Sequence, residues 1–237
     1  MIRIENVEVV GWEAAIRGMR NPMNSWEKSD SVKCYANPSC PGICKDNASG
    51  LCIGPNDFDL MKHLCNAGTD HRKFMRMITV YADITAPLYW WKEFDTYKVG
   101  TAANSCSTMH KIHAKEFTLE DFSHEHLITV SLFILNKVIE LLNWHRDYYL
   151  KTKDKGYWLQ MIQLLPSSYN QKRTVMLNYE VLANIYKSRK NHKLDEWSEN
   201  HIDVDGNDMS PGLGMAGFCD WVKTLPYSGL ITGKETE

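Results

Sequence analysis

The chain has 237 residues, 43% of them hydrophobic and 24% charged, a globular composition with length enough for one large domain and a substantial core. Lys and Arg total 27 against 29 Asp and Glu, a formal charge of -2. So balanced a chain supplies no long-range field to hold nucleic acid or an anionic membrane, and an anionic ligand must be caught by a few placed cations.

The opening Met1-Ile2-Arg3-Ile4-Glu5 mixes charge with β-formers and builds no apolar signal core. The most apolar stretch, 127–142, is interrupted by Ser131, Asn136, Lys137 and Glu140, which argues against a membrane span. A cytoplasmic protein is expected, with its seven cysteines as reduced thiols.

Residues 2–10 alternate apolar and polar (Ile2, Ile4, Val7, Val9) and read as a strand, followed by a short helix over 12–19. From 20 to 54 the chain is rich in Asn, Pro, Ser, Gly and Cys, a long loop without periodicity. Asn56-Asp57 is expected to cap a helix running to about Asn66 and closed by Gly68. In 76–85, Ile78, Val80, Ala82 and Ile84 share one face of a strand. Pro87 opens a helix over 88–94, and 100–108 reads as a small polar loop. A long helix is predicted over 125–151, with Leu127, Val130, Ile134, Val138 and Leu141 in one stripe and Ile128, Leu135, Ile139 and Leu142 beside it. So broad a stripe predicts burial on much of the helix's circumference. A break at Pro166-Ser167-Ser168 precedes a helix over 174–190, then a Gly- and Asp-rich loop, a short helix over 218–224 and a frayed tail. The expected class is α+β, a modest mixed or antiparallel sheet with long buried helices, in one domain over 1–237 with a Cys-rich loop at about 21–54.

Chemistry concentrates in two places. His71 lies just ahead of the strand at 76–85; the helix after Pro87 ends in Phe94-Asp95-Thr96-Tyr97-Lys98, and the next loop reads Gly100-Thr101-Ala102-Ala103-Asn104-Ser105-Cys106-Ser107. Later, Asn178 and Arg189 stand eleven apart, about three helical turns, so that both project from nearly one face of the expected helix. This order of His, strand, Ala-Pro, aromatic-rich helix, Asn-x-x-Ser loop, Leu-Pro-Ser and Asn…Arg helix resembles the flavin-dependent thymidylate synthases, the thymidylate-synthase-complementing type. The matching stretches, 68–107 and 165–197, cover about a third of the chain.

The resemblance implies that family's fold and a homotetramer holding FAD and dUMP between subunits. The implied reaction is reductive methylation of dUMP to dTMP, with methylenetetrahydrofolate as carbon donor and NADPH recharging the flavin. Carried over by position, Arg189 is the catalytic residue, donating charge-assisted hydrogen bonds to the uracil edge. His71, Tyr97, Lys98 and Asn178 would contact the flavin. Asn104, Ser105, Cys106 and Ser107, with Arg189, would face the nucleotide. The hallmark Arg-His-Arg is replaced by Thr96-Tyr97-Lys98 or Tyr97-Lys98-Val99, depending on one inserted residue, and Glu180 stands where an arginine is expected. Lys98 replaces charge but not a planar fork, and each lost charge-assisted contact weakens anion binding by about 1.5–3 kcal/mol. Lys92, Lys111 and Arg72 are the cations available to compensate. The alternatives are a catalytically divergent nucleotide-binding homologue and a modifier of another pyrimidine nucleotide.

Plainer readings stand beside these. His71 could cap a turn, Arg189 could answer a helix dipole, and Tyr89, Trp90, Trp91 and Phe94 could be core. Asn104 to Ser107 could form an ordinary turn. Cys34, Cys40, Cys44 and Cys52, spaced C-x5-C-x3-C-x7-C, are weak candidates for a metal, but lack the C-x2-C pairs of zinc ribbons; free thiols are expected there. His124-Glu125-His126 reads as a surface cap.

Overall fold

The computed structural model describes residues 2–33, 51–198 and 217–233. In chain order its elements are β1 (Arg3–Val10), α1 (Trp12–Arg20), β2 (Val32–Lys33), β3 (Leu51–Cys52), α2 (Pro55–Asn66), β4 (Thr79–Pro87), α3 (Leu88–Phe94), β5 (Ala102–Ser105), α4 (Thr129–Thr152), α5 (Lys155–Leu164), β6 (Asn170–Asn178), α6 (Tyr179–Arg189), α7 (Phe218–Lys223) and α8 (Gly229–Thr232). The four longer strands form one sheet in the order β1-β4-β6-β5. β2 and β3 form an antiparallel ribbon, with Val32 opposite Cys52 and Lys33 opposite Leu51. The class is α+β. No helix among the described residues is long and apolar enough to cross a membrane.

Two compact units result, one of Met1–Arg3, Ile84–Thr96 and Ala103–Thr174, the other of Ile4–Asp83, Tyr97–Ala102 and Val175–Glu237. In the first, Ile112, Phe117, Phe122, Leu135, Ile139, Leu142 and Met161 make a buried cluster. Helix α4 ends where Lys153 turns left-handed (φ 60), and the Asp154 carboxylate caps α5 by accepting from the Gly156 N–H at 2.8 Å. That cap was missed in the sequence, and α5 with it. In the second unit Trp12 meets Tyr179 edge-on at 5.2 Å between ring centroids, and Trp197 meets Phe218 at 5.3 Å.

Several expectations change. Residues 174–178 close strand β6 rather than open a helix; Val175 and Leu177 are buried in alternation, the period of a strand. Within 100–108, residues 102–105 are strand β5. The tail ahead of residue 234 is packed: Leu225, Leu230 and Ile231 are buried, and Tyr179 Oη donates to the Pro226 carbonyl at 2.6 Å. Helix α4 is not buried round most of its circumference. Burial follows Leu135, Ile139 and Leu142, whereas Val130, Ile134 and Leu141 of the expected stripe are 69%, 55% and 43% exposed.

The long loop after α1 is ordered through 21–33 by one carboxylate. Asp57 is fully buried and accepts from Arg20 Nε (2.6 Å), Ser29 Oγ (2.7 Å), Ser31 Oγ (2.6 Å) and the Ser31 N–H (3.1 Å). It is therefore not the cap of α2. Asp30 caps that helix from the loop, accepting from the Asn56 N–H at 2.9 Å and the Asp57 N–H at 3.1 Å. Cys52 is disulfide-bonded, which corrects the expectation of a free thiol there and removes a thiolate from the candidate metal set. Cys34, Cys40 and Cys44 lie outside the described residues. Cys65, Cys106 and Cys219 are free.

Burial pushes the Asp57 carboxyl up, but the hydrogen bonds from Ser31, Ser29 and Arg20, together with the Arg20 charge, outweigh it and hold the group below the ordinary carboxylate range. Its folded pKa being depressed, its stabilisation is present above about pH 4, where the unfolded carboxylate is ionised, and is lost as pH falls through the folded value. Asp57→Asn leaves the buried Arg20 guanidinium without its counter-charge. It is expected to cost about 3–5 kcal/mol in urea unfolding at pH 7, a difference that narrows in titrations below about pH 4.

Candidate functional site

The second unit brings the mid-chain segment 97–100 against both ends of α6. Asn178, the last residue of β6, caps the helix: its Oδ1 accepts from the Val181 N–H at 3.0 Å. Its Nδ2 reaches the Gly100 carbonyl at 3.5 Å, the outer limit of a hydrogen bond. At the other end Arg189 Nε donates to Tyr97 Oη at 2.9 Å, and Nη1 lies 2.8 Å from His192 Nε2, which accepts. The guanidinium sits over the Tyr97 ring at 5.6 Å and the Trp197 ring at 5.2 Å, a cation on aromatic faces. Lys98, between the two attachments, is exposed. Asn178 and Arg189 thus serve the same segment as cap and terminal residue, not as two positions on one face within a helix.

His71 is exposed, and its N–H closes a turn on the Gly68 carbonyl at 3.1 Å. Its neighbour Arg72 is committed to the start of α6, with Nε 2.8 Å from Glu180 Oε2 and Nη2 donating to Asn184 Oδ1 at 3.1 Å. Glu180 is buried at 6% exposure, so Arg72 is the cation that makes a carboxylate tolerable there. Arg72 is thereby spent as a compensating anion ligand. Lys92 and Lys111 are exposed.

The first unit holds the other candidates. Asn104 and Ser105 are exposed on β5. Cys106 joins β6 at its backbone, its N–H donating to the Lys172 carbonyl at 2.9 Å and its carbonyl accepting from Gln171 Nε2 at 2.9 Å. Ser107 Oγ accepts from the N–H groups of Met109 (3.2 Å) and His110 (2.9 Å), so this hydroxyl caps a turn. Cys106 and Ser107 line a cavity of about 650 Å³ that also presents Lys115, Asp121, His124 and Lys172. Its volume lies in the range of small-molecule sites. His124 Nδ1 is 2.8 Å from the Phe122 carbonyl, and among the described residues no cluster of His, Cys, Asp and Glu could hold a metal.

Gln171 and Arg173 escaped the sequence reading. Arg173 lies over the Trp91 ring at 4.2 Å and pairs with Asp95 at 2.8 Å. The available signal was an arginine and a glutamine two apart on a strand, pointing to one face.

No protein-family model matches the chain, and no curated protein does. Solved structures do. The flavin-dependent thymidylate synthase ThyX of Helicobacter pylori, complexed with FAD and dUMP, superposes with a TM-score of 0.60 at 13% identity, covering 98% of this chain and 96% of that one. A second Helicobacter pylori ThyX structure with FAD and dUMP gives a TM-score of 0.58 at 13% identity, over 98% and 95% of the two chains. At that identity the likeness is one of fold, and it runs over nearly the whole of both chains.

Gly100 has φ +76, and a Cβ there would stand 2.7 Å from Asn178 Nδ2. Gly100→Ala is expected to cost about 1–2 kcal/mol through the left-handed backbone and the displaced amide. Denaturant unfolding measures the loss; Gly68→Ala, also left-handed but with open space around its Cβ, isolates the clash.

Proposed function

We propose that this chain is a flavin-dependent thymidylate synthase, acting as one domain in a homotetramer and reductively methylating dUMP to dTMP. The observation that carries the reading is the two-ended attachment of segment 97–100 to Asn178 and Arg189. The fold shared with ThyX structures that hold FAD and dUMP supports it. The exposed apolar row of α4, Val130, Phe133, Ile134 and Leu141, supports self-association.

The residues fit a flavin and a nucleotide in these respects. The Asn178 Nδ2 contact to Gly100 is long enough to yield to a ligand carbonyl, and Lys98 is an exposed ammonium on an anchored segment. Tyr97 and His71 would complete the flavin contacts, while Asn104, Ser105, Cys106 and Ser107 would orient the nucleotide. Arg189 would donate to the uracil edge and hold the negative charge that builds on its oxygen. FAD, methylenetetrahydrofolate and NADPH, when bound, supply the hydride and the one-carbon unit, so the protein's part is to bind, orient and polarise.

One observation favours a second reading, a divergent homologue that binds nucleotide without flavin. Glu180 takes up Arg72 at 2.8 Å, so neither residue offers a cation to a phosphate.

The absorption spectrum tests the first reading. Purified protein incubated with FAD and desalted is expected to keep a flavin band near the protein peak's stoichiometry, and colourless protein would sink it. Calorimetry with dUMP and with FAD then separates the two readings, since the first predicts heat from both and the second predicts heat from dUMP and none from FAD. Arg189→Met is expected to weaken dUMP about tenfold or more, the loss of a charge-assisted contact.

A further inference from the structure

We infer that Arg173 is a positioning residue that fixes the amide orientation of Gln171 and, through it, the Cys106–Ser107 turn at the rim of the 650 Å³ cavity. The inference rests on the nucleotide-site reading only for what the cavity holds; the relay itself stands on the first unit's own contacts.

Its parts run in one direction. Asp95 Oδ1 accepts from Arg173 Nη1 at 2.8 Å. Arg173 Nε donates to Gln171 Oε1 at 3.0 Å, and Gln171 Nε2 donates to the Cys106 carbonyl at 2.9 Å. A guanidinium has donors and no acceptor, so it accepts only the amide oxygen as its neighbour. With the oxygen committed to Arg173, the NH2 group must face Cys106. The opposite rotamer would set NH2 against the guanidinium and oxygen against a carbonyl, two repulsions in place of two bonds. Gln171 is 7% exposed, which leaves little solvent to soften that choice.

The arginine is itself held on a third side. Its guanidinium lies 4.2 Å from the Trp91 ring centroid, and Trp91 Nε1 donates to the Gln171 carbonyl at 2.9 Å. Tryptophan, arginine and glutamine are thus one unit, and its output is the Cys106 carbonyl. The Cys106 N–H donates to the Lys172 carbonyl at 2.9 Å, so both polar groups of that peptide segment are held by β6. Cys106, Ser107, Gln171 and Lys172 all line the cavity. A ligand there meets a wall whose position Arg173 sets without touching it.

Three variants separate positioning from mere support. Gln171→Glu keeps an acceptor for Arg173 but has no donor for the Cys106 carbonyl. Arg173→Met keeps apolar cover over Trp91 and releases the amide. Asp95→Asn alters a half-exposed side chain and keeps the test open should Gln171→Glu fail to fold. Exchange of the Cys106 amide, followed by hydrogen–deuterium mass spectrometry, is expected to quicken about fivefold in the first two and about twofold in the third, the loss of one hydrogen bond and of part of one. Binding of dUMP by calorimetry is expected to weaken about fivefold in Gln171→Glu and Arg173→Met. A parent-like exchange rate in both Arg173→Met and Asp95→Asn overturns the inference, as does a quickened amide with unaltered dUMP binding. If the unaltered protein fails to bind dUMP, the nucleotide reading falls, and the exchange rates alone decide whether Arg173 sets the turn.

Discussion

Helix α6 is held between a cap and a cation that serve the same stretch of chain, and Tyr97, Lys98, Asn178 and Arg189 depend on that arrangement. Asn178 satisfies an orphan N–H at the first turn while its amide reaches Gly100. Arg189, at the last turn, reaches Tyr97. The helix between them is rigid because Val181, Leu182, Ile185 and Tyr186 are buried, and because the Tyr179 N–H donates to the Ile78 carbonyl at 3.1 Å. A segment tied to a buried helix at two points three turns apart has little freedom to drift, and Lys98 between the ties inherits that restriction.

The residues that stand where other residues were expected have partners within this geometry. Tyr97 is not a failed cation: its hydroxyl accepts from Arg189 and its ring carries the guanidinium. Glu180 is not an unmatched anion, because Arg72 lies against it at 2.8 Å. The pair consumes one of the cations that composition alone had left available.

Much of this was legible in the residues. The alternation of Ile78, Val80, Ala82 and Ile84 announced β4, and all four are 0–1% exposed. Asn178 and Arg189 were picked out by spacing, although the reason for their pairing was not; the nine-residue strand ending at Asn178 carries only Val175 and Leu177 as its alternating apolar signal and runs straight into helical residues, so the period changes with no turn between. The exposure of Val130 and Ile134 was hidden for a different reason. An apolar stripe records that a face is to be covered, and sequence periodicity does not say by which chain. Asp57 was misassigned because its partners, Arg20, Ser29 and Ser31, lie 26 to 37 residues away, and capping rules look only three residues ahead. Gln171 and Arg173 gain meaning only beside Trp91 and Cys106, again far off in sequence.

Everything at this end of α6 turns on the contact between Tyr97 and Arg189. A double-mutant cycle with Tyr97→Phe, Arg189→Met and the pair, read by urea unfolding, tests it most directly. Coupling of about 0.5–1.5 kcal/mol is predicted from the hydroxyl contact. Additive losses, agreeing to within about 0.3 kcal/mol, would contradict it.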